Sequence, residues 1–394
     1  MGEPDGRGLE WGGGALTIAG VLTTIVAPLL VDALGSAGLS TSEVGSHLTA
    51  LHLTQVVVIF GLGGTGLVGR FDRRVVGLVG CGVSAVALVA CAVSTSGTGL
   101  MLLMVLVGAG AGLAYSAGAS ALSYVTDTER AYALVTIASI GIGGIVLAGT
   151  ALVPLDQTQA GIFLGLAVVL LMLGVVGLRI PPLAHPGSAS SQAHDSWLGG
   201  VGVALIVGYF LLNVGILAVW TYSGSIAQAA GMSASGSWWF LGLSQVLSVV
   251  GCLIAWRMGP HPGKLWILVA SLAGIMVGKL MIGTALLVPY AVGILLTNLT
   301  FYTAIPFIFA AAADLNPRSG RLVVVVGASA MAAGAVAPVF GGWAAGDSDN
   351  WLRLGIAAAV VILVSIPLVM FAERVAYRRK HPAVPDTAVT APGR

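Results

Sequence analysis

The chain is a series of long apolar stretches separated by short polar turns. A helix needs about 20 predominantly apolar residues to cross a bilayer, and twelve stretches of the sequence reach that length. We predict membrane helices at residues 15–34, 44–69, 75–95, 100–124, 131–153, 160–180, 199–222, 236–256, 265–286, 289–313, 322–345 and 351–372. The fold class that follows is an all-α membrane protein with twelve transmembrane helices.

The longest polar interruption, residues 181–198, divides these helices six and six. It is rich in Pro and Ser, which is typical of a flexible linker. We therefore predict five parts: an N-terminal segment at 1–14, a six-helix bundle at 15–180, the linker at 181–198, a second six-helix bundle at 199–372 and a tail at 373–394.

The two bundles repeat one another in sequence. The turn before helix 2 reads Gly38-Leu-Ser-Thr-Ser, and the turn before helix 8 reads Gly231-Met-Ser-Ala-Ser. Gln55 and Gln245 follow these turns inside their helices. Because each unit has an even number of helices, both keep the same orientation. Such parallel repeats place a binding site between the units, near the centre of the bilayer.

Composition removes the aqueous alternatives. Hydrophobic residues make up 57% of the chain and charged residues only 8%, whereas a soluble domain carries about 25% charged residues. The 57 glycines suit a membrane bundle, because small residues let helix backbones approach closely. The basic residues form no patch for nucleic acid. Cys81, Cys91 and Cys252 lie inside apolar stretches, which indicates buried thiols without disulfides or a metal site.

The placement of Lys and Arg predicts the orientation. With the N-terminus inside, fifteen of the 17 basic residues fall on the cytoplasmic side, Arg353 falls outside, and Lys279 lies within helix 9. The protein is therefore predicted to lie in the cell membrane, with both termini and the linker on the cytoplasmic side. Lys279 lies about 7 residues, or on the order of 10 Å, from the outer end of its helix, so we expect its ammonium to snorkel to the interface.

A charged hairpin follows helix 2, where Arg70, Asp72, Arg73 and Arg74 lie within five residues. With the six-plus-six repeat and the central linker, this hairpin resembles the layout of the major facilitator superfamily of secondary transporters. The family pattern Gly-x-Leu-x-Asp-Arg-x-Gly-Arg-Arg is matched in part by Gly66–Arg74, with the acid two places late and the second Gly missing. The resemblance implies that these four charged residues form a cytoplasmic gate, in which Asp72 pins helix 2 to helix 11.

Ionisable groups inside the membrane are the first candidates for proton coupling, because burying them is costly. Asp32 lies near the outer end of helix 1, on the face of Thr24 and Pro28. His47 and His52 lie in the outer half of helix 2, and an imidazole has a suitable pKa for a relay. The alternatives are that Asp32 only reaches the interface or caps a turn, and that the histidines are packing residues.

The resemblance also implies that helices 1, 4, 7 and 10 line a central cavity. Each of these helices carries polar groups, some of which recur on one face. The candidate substrate-binding residues are Thr24, Tyr115, Tyr209, Asn213, Asn298 and Tyr302. The alternative for each one is hydrogen bonding between helices.

No nucleotide-binding loop or hydrolase motif occurs in the sequence, so an enzyme is not expected. A channel would need rings of like polar groups. We expect a monomeric secondary transporter of a small neutral or amphipathic organic molecule, coupled to protons without another cofactor, and exporting rather than importing. A strongly ionic cargo would need a counter-ion in the membrane. A non-transporting sensor of the same fold and an uptake facilitator remain alternatives.

The topology is tested with single cysteines at Ser191 and Asp347, placed in a background from which the three native cysteines are removed. An impermeant thiol reagent applied to intact cells should label the residue 347 variant and leave the residue 191 variant unlabelled. Equal labelling of both positions would contradict the twelve-helix arrangement.

Overall fold

A computed structural model describes residues 6–63, 71–122, 124–125, 128–152, 159–181, 199–258, 264–315, 321–346 and 348–380. These residues form fourteen α-helices joined by short turns. The helices are α1 (Gly6–Ile25), α2 (Ala27–Ser36), α3 (Thr41–Val58), α4 (Arg73–Val93), α5 (Gly97–Leu122), α6 (Thr128–Leu152), α7 (Gln159–Gly177), α8 (Gly200–Thr221), α9 (Ser223–Ala229), α10 (Ala234–Met258), α11 (Lys264–Gly283), α12 (Leu287–Leu315), α13 (Arg321–Ala345) and α14 (Trp351–Lys380). A π-helical turn at Ile59–Gly63 continues α3.

Within the described residues, eleven helices are long and apolar enough to cross a membrane. The pair α1 and α2 forms a twelfth span that is bent by 54°. Large apolar side chains such as Val86, Ile145 and Trp266 are mostly exposed on the helix surfaces, which suits a lipid surrounding. The predicted all-α membrane fold is therefore confirmed.

The bend in the first span has a local cause. Pro28 occupies the first turn of α2, and proline lacks the N–H that would continue the helix and clashes with the carbonyl four residues earlier. The helix therefore breaks at Val26, with φ −96° and ψ 18°. The seventh span breaks at the corresponding place, at Tyr222, with φ −101° and ψ 10°.

The structural repeat extends to the turns after these breaks. Gly38 has φ +86° and Gly231 has φ +91°, a left-handed conformation that glycine adopts without a Cβ clash. Both glycines stand where the sequence repeats before helices 2 and 8. The N-half, α1–α7, and the C-half, α8–α14, are thus two copies of one arrangement.

Inside each half the same helices pack together. In the N-half α4 lies against α5 and α7, and in the C-half α11 lies against α12 and α14. The halves meet along two helix pairs, α3 with α13 and α6 with α10. The interface between the halves is therefore two-sided, as a pseudo-twofold axis requires.

Three features differ from the sequence prediction in their details. The first helix begins at Gly6 instead of residue 15, because Gly8 and Gly12 let it pack on the backbone of Arg179 and Ile180. The last helix continues to Lys380. Lys279, expected to snorkel, is only 2% exposed. That expectation was wrong, because Lys279 points into the C-half and not along its surface.

Close packing depends on particular glycines, and Gly108 of α5 is the tightest case. A Cβ at Gly108 would overlap the backbone of Leu51 in α3. A Cβ at Gly165 in α7 would have no neighbouring atom within 4 Å. Helix packing therefore requires glycine at position 108 and not at position 165, so Gly165 is a control for Gly108.

Gly108→Ala should destabilise the folded protein by about 1–3 kcal/mol through overpacking. Gly165→Ala should leave stability unchanged or raise it slightly, because alanine has the higher helix propensity. Thermal unfolding of both variants in detergent is the measurement. Equal stability of the two variants would contradict the packing of α3 on α5.

Candidate gate and proton site

Two faces of the molecule are defined by the chain itself. The linker face carries the end of α7 at Gly177 and the start of α8 at Gly200. The far face carries the end of α2 at Ser36 and the start of α3 at Thr41. Among the described residues, five side-chain hydrogen bonds join the N-half to the C-half, and all lie towards the far face.

One of these bonds gives a hydrogen-bond donor to a backbone carbonyl at the helix break. At the break Leu29 N–H bonds the carbonyl of Val26 and not that of Ile25. The freed Ile25 carbonyl accepts a hydrogen bond from the indole N–H of Trp220 in α8, at 3.0 Å. An unsatisfied carbonyl costs several kcal/mol at membrane depth. The bend in the N-half therefore depends on a side chain from the C-half.

Asp32 lies on α2 beyond the break and meets α9 of the other half. The amide of Gln228 donates to the Asp32 carboxylate at 3.0 Å. Asp32 and Gln228 each stand six residues after their helix break. We call this contact the far-face latch. It joins equivalent tips of the two repeats.

A cavity of about 300 Å³ lies beside the latch. Besides Asp32 and Gln228, it is lined by Thr41 and Ser225 and by four further residues of α2 and α3 or the turn between them: Val31, Gly35, Leu39 and Val44. The cavity is open on one side, and its accessible lining is more polar than apolar, with hydroxyl, amide and carboxylate groups.

Three more contacts hold the far face closed. Thr41 donates to the carboxylate of Asp349, Val339 N–H donates to Thr49 at 3.1 Å, and the Tyr222 hydroxyl lies 3.3 Å from the Thr41 carbonyl. The same hydroxyl lies 3.0 Å from the carbonyl of Pro338. Contacts of this kind would have to break for the far face to open.

His47 of α3 is fixed within the N-half. Its Nδ1 lies 2.7 Å from the Glu43 carbonyl and its Nε2 lies 2.9 Å from the Gly97 carbonyl. Carbonyl oxygens only accept hydrogen bonds, so the ring donates to both of them only when both nitrogens carry a proton. The His47 ring is thus fixed by two backbone carbonyls, one turn from the cavity residue Val44.

His52 and its neighbours form a buried polar group between α1, α3 and α5. Gln55 donates to the Gly20 carbonyl at 2.6 Å, and its own oxygen lies 3.4 Å from His52 Nδ1. Two hydroxyls near this level, those of Thr23 and Ser116, are buried without a hydrogen-bond partner. His52 therefore belongs to the interior of the N-half and not to the latch.

The proposed substrate-binding residues of the N-half lie near this group. Thr24 is partly exposed, two residues before the break at Val26, and Tyr115 is partly exposed on α5. The Cβ of Tyr115 packs directly against Gly20. Both side chains are accessible in part, and neither lines the cavity beside the latch.

The corresponding residues of the C-half are more deeply buried. Asn213 donates to the Tyr209 carbonyl one turn earlier on α8, at 2.8 Å. Asn298 of α12 donates to Ser244 of α10, at 3.0 Å to the hydroxyl. Tyr209 packs edge-on against Phe309, and Tyr302 is partly exposed beside Phe301. The two asparagines thus have their amide donors satisfied within the C-half.

The charged residues of the hairpin have local partners. Asp72 caps α4 by accepting from Arg74 N–H at 2.9 Å, and it pairs with the Arg74 guanidinium at 3.0 Å. Hydrogen bonds from the Arg74 side chain and backbone hold the pKa of Asp72 below its ordinary value. Arg73 is buried, bonds Ser120 and Tyr124, and lies over the Tyr124 ring. Arg70 lies outside the described residues.

Two partners in the far-face interface escaped the sequence reasoning: Tyr222 and Gln228. The sequence repeat gave no signal for them, because aligning Gly38 with Gly231 places Ser225, and not Gln228, at the position of Asp32. Across the described part of the chain no cluster of three His, Cys, Asp or Glu side chains could hold a metal ion. The site therefore consists of a carboxylate, amides and hydroxyls.

No protein-family model matches the chain, and no curated protein matches it. Solved structures do. A nucleoside transporter, NupG, aligns over 92% of this chain and 98% of its own, with TM-score 0.65 and 12% identity. A D-xylose–proton symporter aligns over 89% and 95%, with TM-score 0.69 and 16% identity.

A bacterial homologue of the human lysosomal transporter Spinster, solved in an inward-facing and occupied conformation, aligns over 95% of this chain and 97% of its own. Its TM-score is 0.64 at 13% identity. At such identities the likeness concerns the fold. All three neighbours are transporters, and none is an enzyme.

The far-face latch predicts a crosslink. Asp32→Cys combined with Gln228→Cys, in the background without native cysteines, should be joined by a short bifunctional thiol reagent. With a protease site inserted in the 181–198 linker, crosslinked halves stay together on a denaturing gel after cleavage. Each single-cysteine variant is the control. Separation of the halves in the double variant would contradict the contact.

Proposed function

We propose that this chain, whose fold is that of the major facilitator superfamily, is a proton-coupled secondary transporter that exports a small neutral or amphipathic organic molecule. The observation that carries the proposal is the far-face latch. It joins the bent first span of the N-half to the equivalent span of the C-half. Alternating access requires a state in which one face is closed, and this latch closes the far face.

The latch suggests how a proton is taken up and released. An ionised carboxylate accepts the hydrogen bond from Gln228 most strongly, so protonation of Asp32 weakens the latch. When the far face opens, Asp32 loses this donor and can bind a proton from that side. When the face closes, Gln228 returns and the proton leaves towards the linker face. His47 is a second place to hold a proton in the N-half.

The energies involved suit a reversible gate. Five hydrogen bonds join the halves in the described residues, and hydrogen bonds in membrane proteins average about 0.6 kcal/mol each. Their sum is about 3 kcal/mol. A cargo that binds the open far face more tightly than the closed one by this amount would open it without destabilising the fold.

The cargo class rests on what the cavity lacks. Its described lining contains one carboxylate, already bonded to Gln228, and no basic residue. A strongly ionic cargo would find no counter-ion there. Uridine and D-xylose are suitable first probes, because both are neutral and two structural neighbours are a nucleoside transporter and a D-xylose symporter.

The deciding experiment uses Asp32→Asn in proteoliposomes loaded with radiolabelled uridine or xylose. The amide keeps the size of the side chain but cannot ionise. The variant should still exchange the probe across the membrane, yet fail to accumulate it when a pH gradient is imposed. Proton movement is followed in the same vesicles with a pH-sensitive dye.

Asp349→Asn is the matched control, because Asp349 is the other far-face carboxylate that bonds across the interface. It should keep gradient-driven accumulation. If Asp32→Asn accumulates the probe as the wild type does, Asp32 is an interfacial residue and coupling lies elsewhere. If the wild type binds a probe but never exchanges it, the chain is a sensor of the same fold.

A further inference from the structure

Lys279 of α11 is a buried cation that the proposed mechanism does not use. Its side chain is 2% exposed. It continues the buried stripe of α11 made by Leu268, Leu272, Ile275 and Ile282, which recurs every three or four residues and faces the neighbouring helices. The side chain therefore enters the C-half and is covered by protein, not lipid headgroups.

Tight backbone packing closes off this position on two sides. Gly278 lies against Gly293 and Thr297 of α12, and Gly355 of α14 lies against the backbone carbonyl of Lys279. One turn further, Gly283 lies against Gly355. With helices this close, nearly all of the Lys279 side chain is enclosed by protein.

Three other basic side chains in the described residues have partners. Arg73 bonds Ser120 and Tyr124, Arg74 pairs with Asp72, and Arg353 lies over the ring of Trp343. For Lys279 no hydrogen bond or ion pair occurs within the part of the chain that the structure describes. The Thr297 hydroxyl on the facing helix is likewise buried without a partner.

The titratable groups on the helices around α11 do not supply a counter-charge. On α12, Tyr290 donates its hydroxyl to the Ser223 carbonyl, while Tyr302 and Asp314 lie towards the linker face. On α14, Arg353 is exposed. The other titratable groups of α14 with described side chains lie at least 18 residues nearer the linker face than Gly355: Glu373, Arg374, Tyr377, Arg378 and Arg379. On α8 the titratable group is Tyr209, and α9 carries none.

An ammonium without a counter-charge or hydrogen bonds is far costlier to bury than a neutral amine. We propose that Lys279 is a proton-exchange site of the C-half, which gives up its proton when α11, α12 and α14 close around it and binds one when they separate. This site would be independent of Asp32, which lies in the other half. Protonation and helix packing in the C-half are then linked.

The test is the pH dependence of stability without any cargo, so its result is independent of the proposed function. Purified wild type, Lys279→Met and Lys279→Arg are unfolded thermally in detergent from about pH 5 to about pH 10, a range that ends near the ordinary pKa of lysine. Lys264→Met, at the first residue of the same helix, is the control.

If the folded C-half excludes the proton, the unfolded chain binds more protons than the folded one, and stability rises with pH. The wild type should be less stable than Lys279→Met at low pH, with the gap narrowing as the pH rises, at most tenfold in the folded-to-unfolded ratio per pH unit. Lys279→Arg, which stays charged, should be less stable than the wild type, most clearly at high pH. Lys264→Met should follow the wild type.

A gap between the wild type and Lys279→Met that is constant with pH would overturn the proposal. So would a Lys279→Arg variant as stable as the wild type at high pH, because a permanently charged group would then be tolerated. If Lys279→Met does not fold, Lys279→Gln takes its place, since it is neutral and still able to hydrogen-bond.

Discussion

The structure depends on one constraint of the membrane: a backbone carbonyl freed by a helix break needs a partner from the protein. The first span breaks just before Pro28, where Leu29 N–H turns to the carbonyl of Val26. The freed carbonyl of Ile25 is satisfied by Trp220 from the other half. No water is available in the bilayer core to replace such a bond. The bend that brings Asp32 to the interface is therefore stabilised when the two halves are together at the far face.

The remaining contacts are arranged around this join. The second break, at Tyr222, turns α9 towards α2 and brings Gln228 to Asp32. Glycines at Gly45, Gly144 and Gly242 let the two helix pairs of the interface approach closely. The far face is thus held by a few weak bonds and by smooth packing surfaces, a combination that permits two states.

The sequence predicted the membrane helices well, because their length and hydrophobicity are imposed by the bilayer. It also offered Pro28 as a reason for bending. It gave no comparable signal at Tyr222, where no proline occurs. Periodicity placed Asn213 and Asn298 on helix faces, but it cannot tell whether a cavity or a neighbouring helix covers a face, and the structure bonds both amide donors inside the C-half. Lys279 was misjudged because its distance from the helix end was weighed above the apolar stripe it shares with Leu272 and Ile275.

The central claim is that the halves separate at the far face while they close at the linker face. Pairs of spin labels measure this directly by pulsed electron paramagnetic resonance. One pair is placed at Ser36 and Ala229 on the far face, and the other at Leu178 and Arg257 on the linker face. All four residues are exposed. On acidification or addition of a transported probe, the far-face distance should lengthen as the linker-face distance shortens. Distances that stay fixed in both pairs, under conditions where transport occurs, would contradict the account.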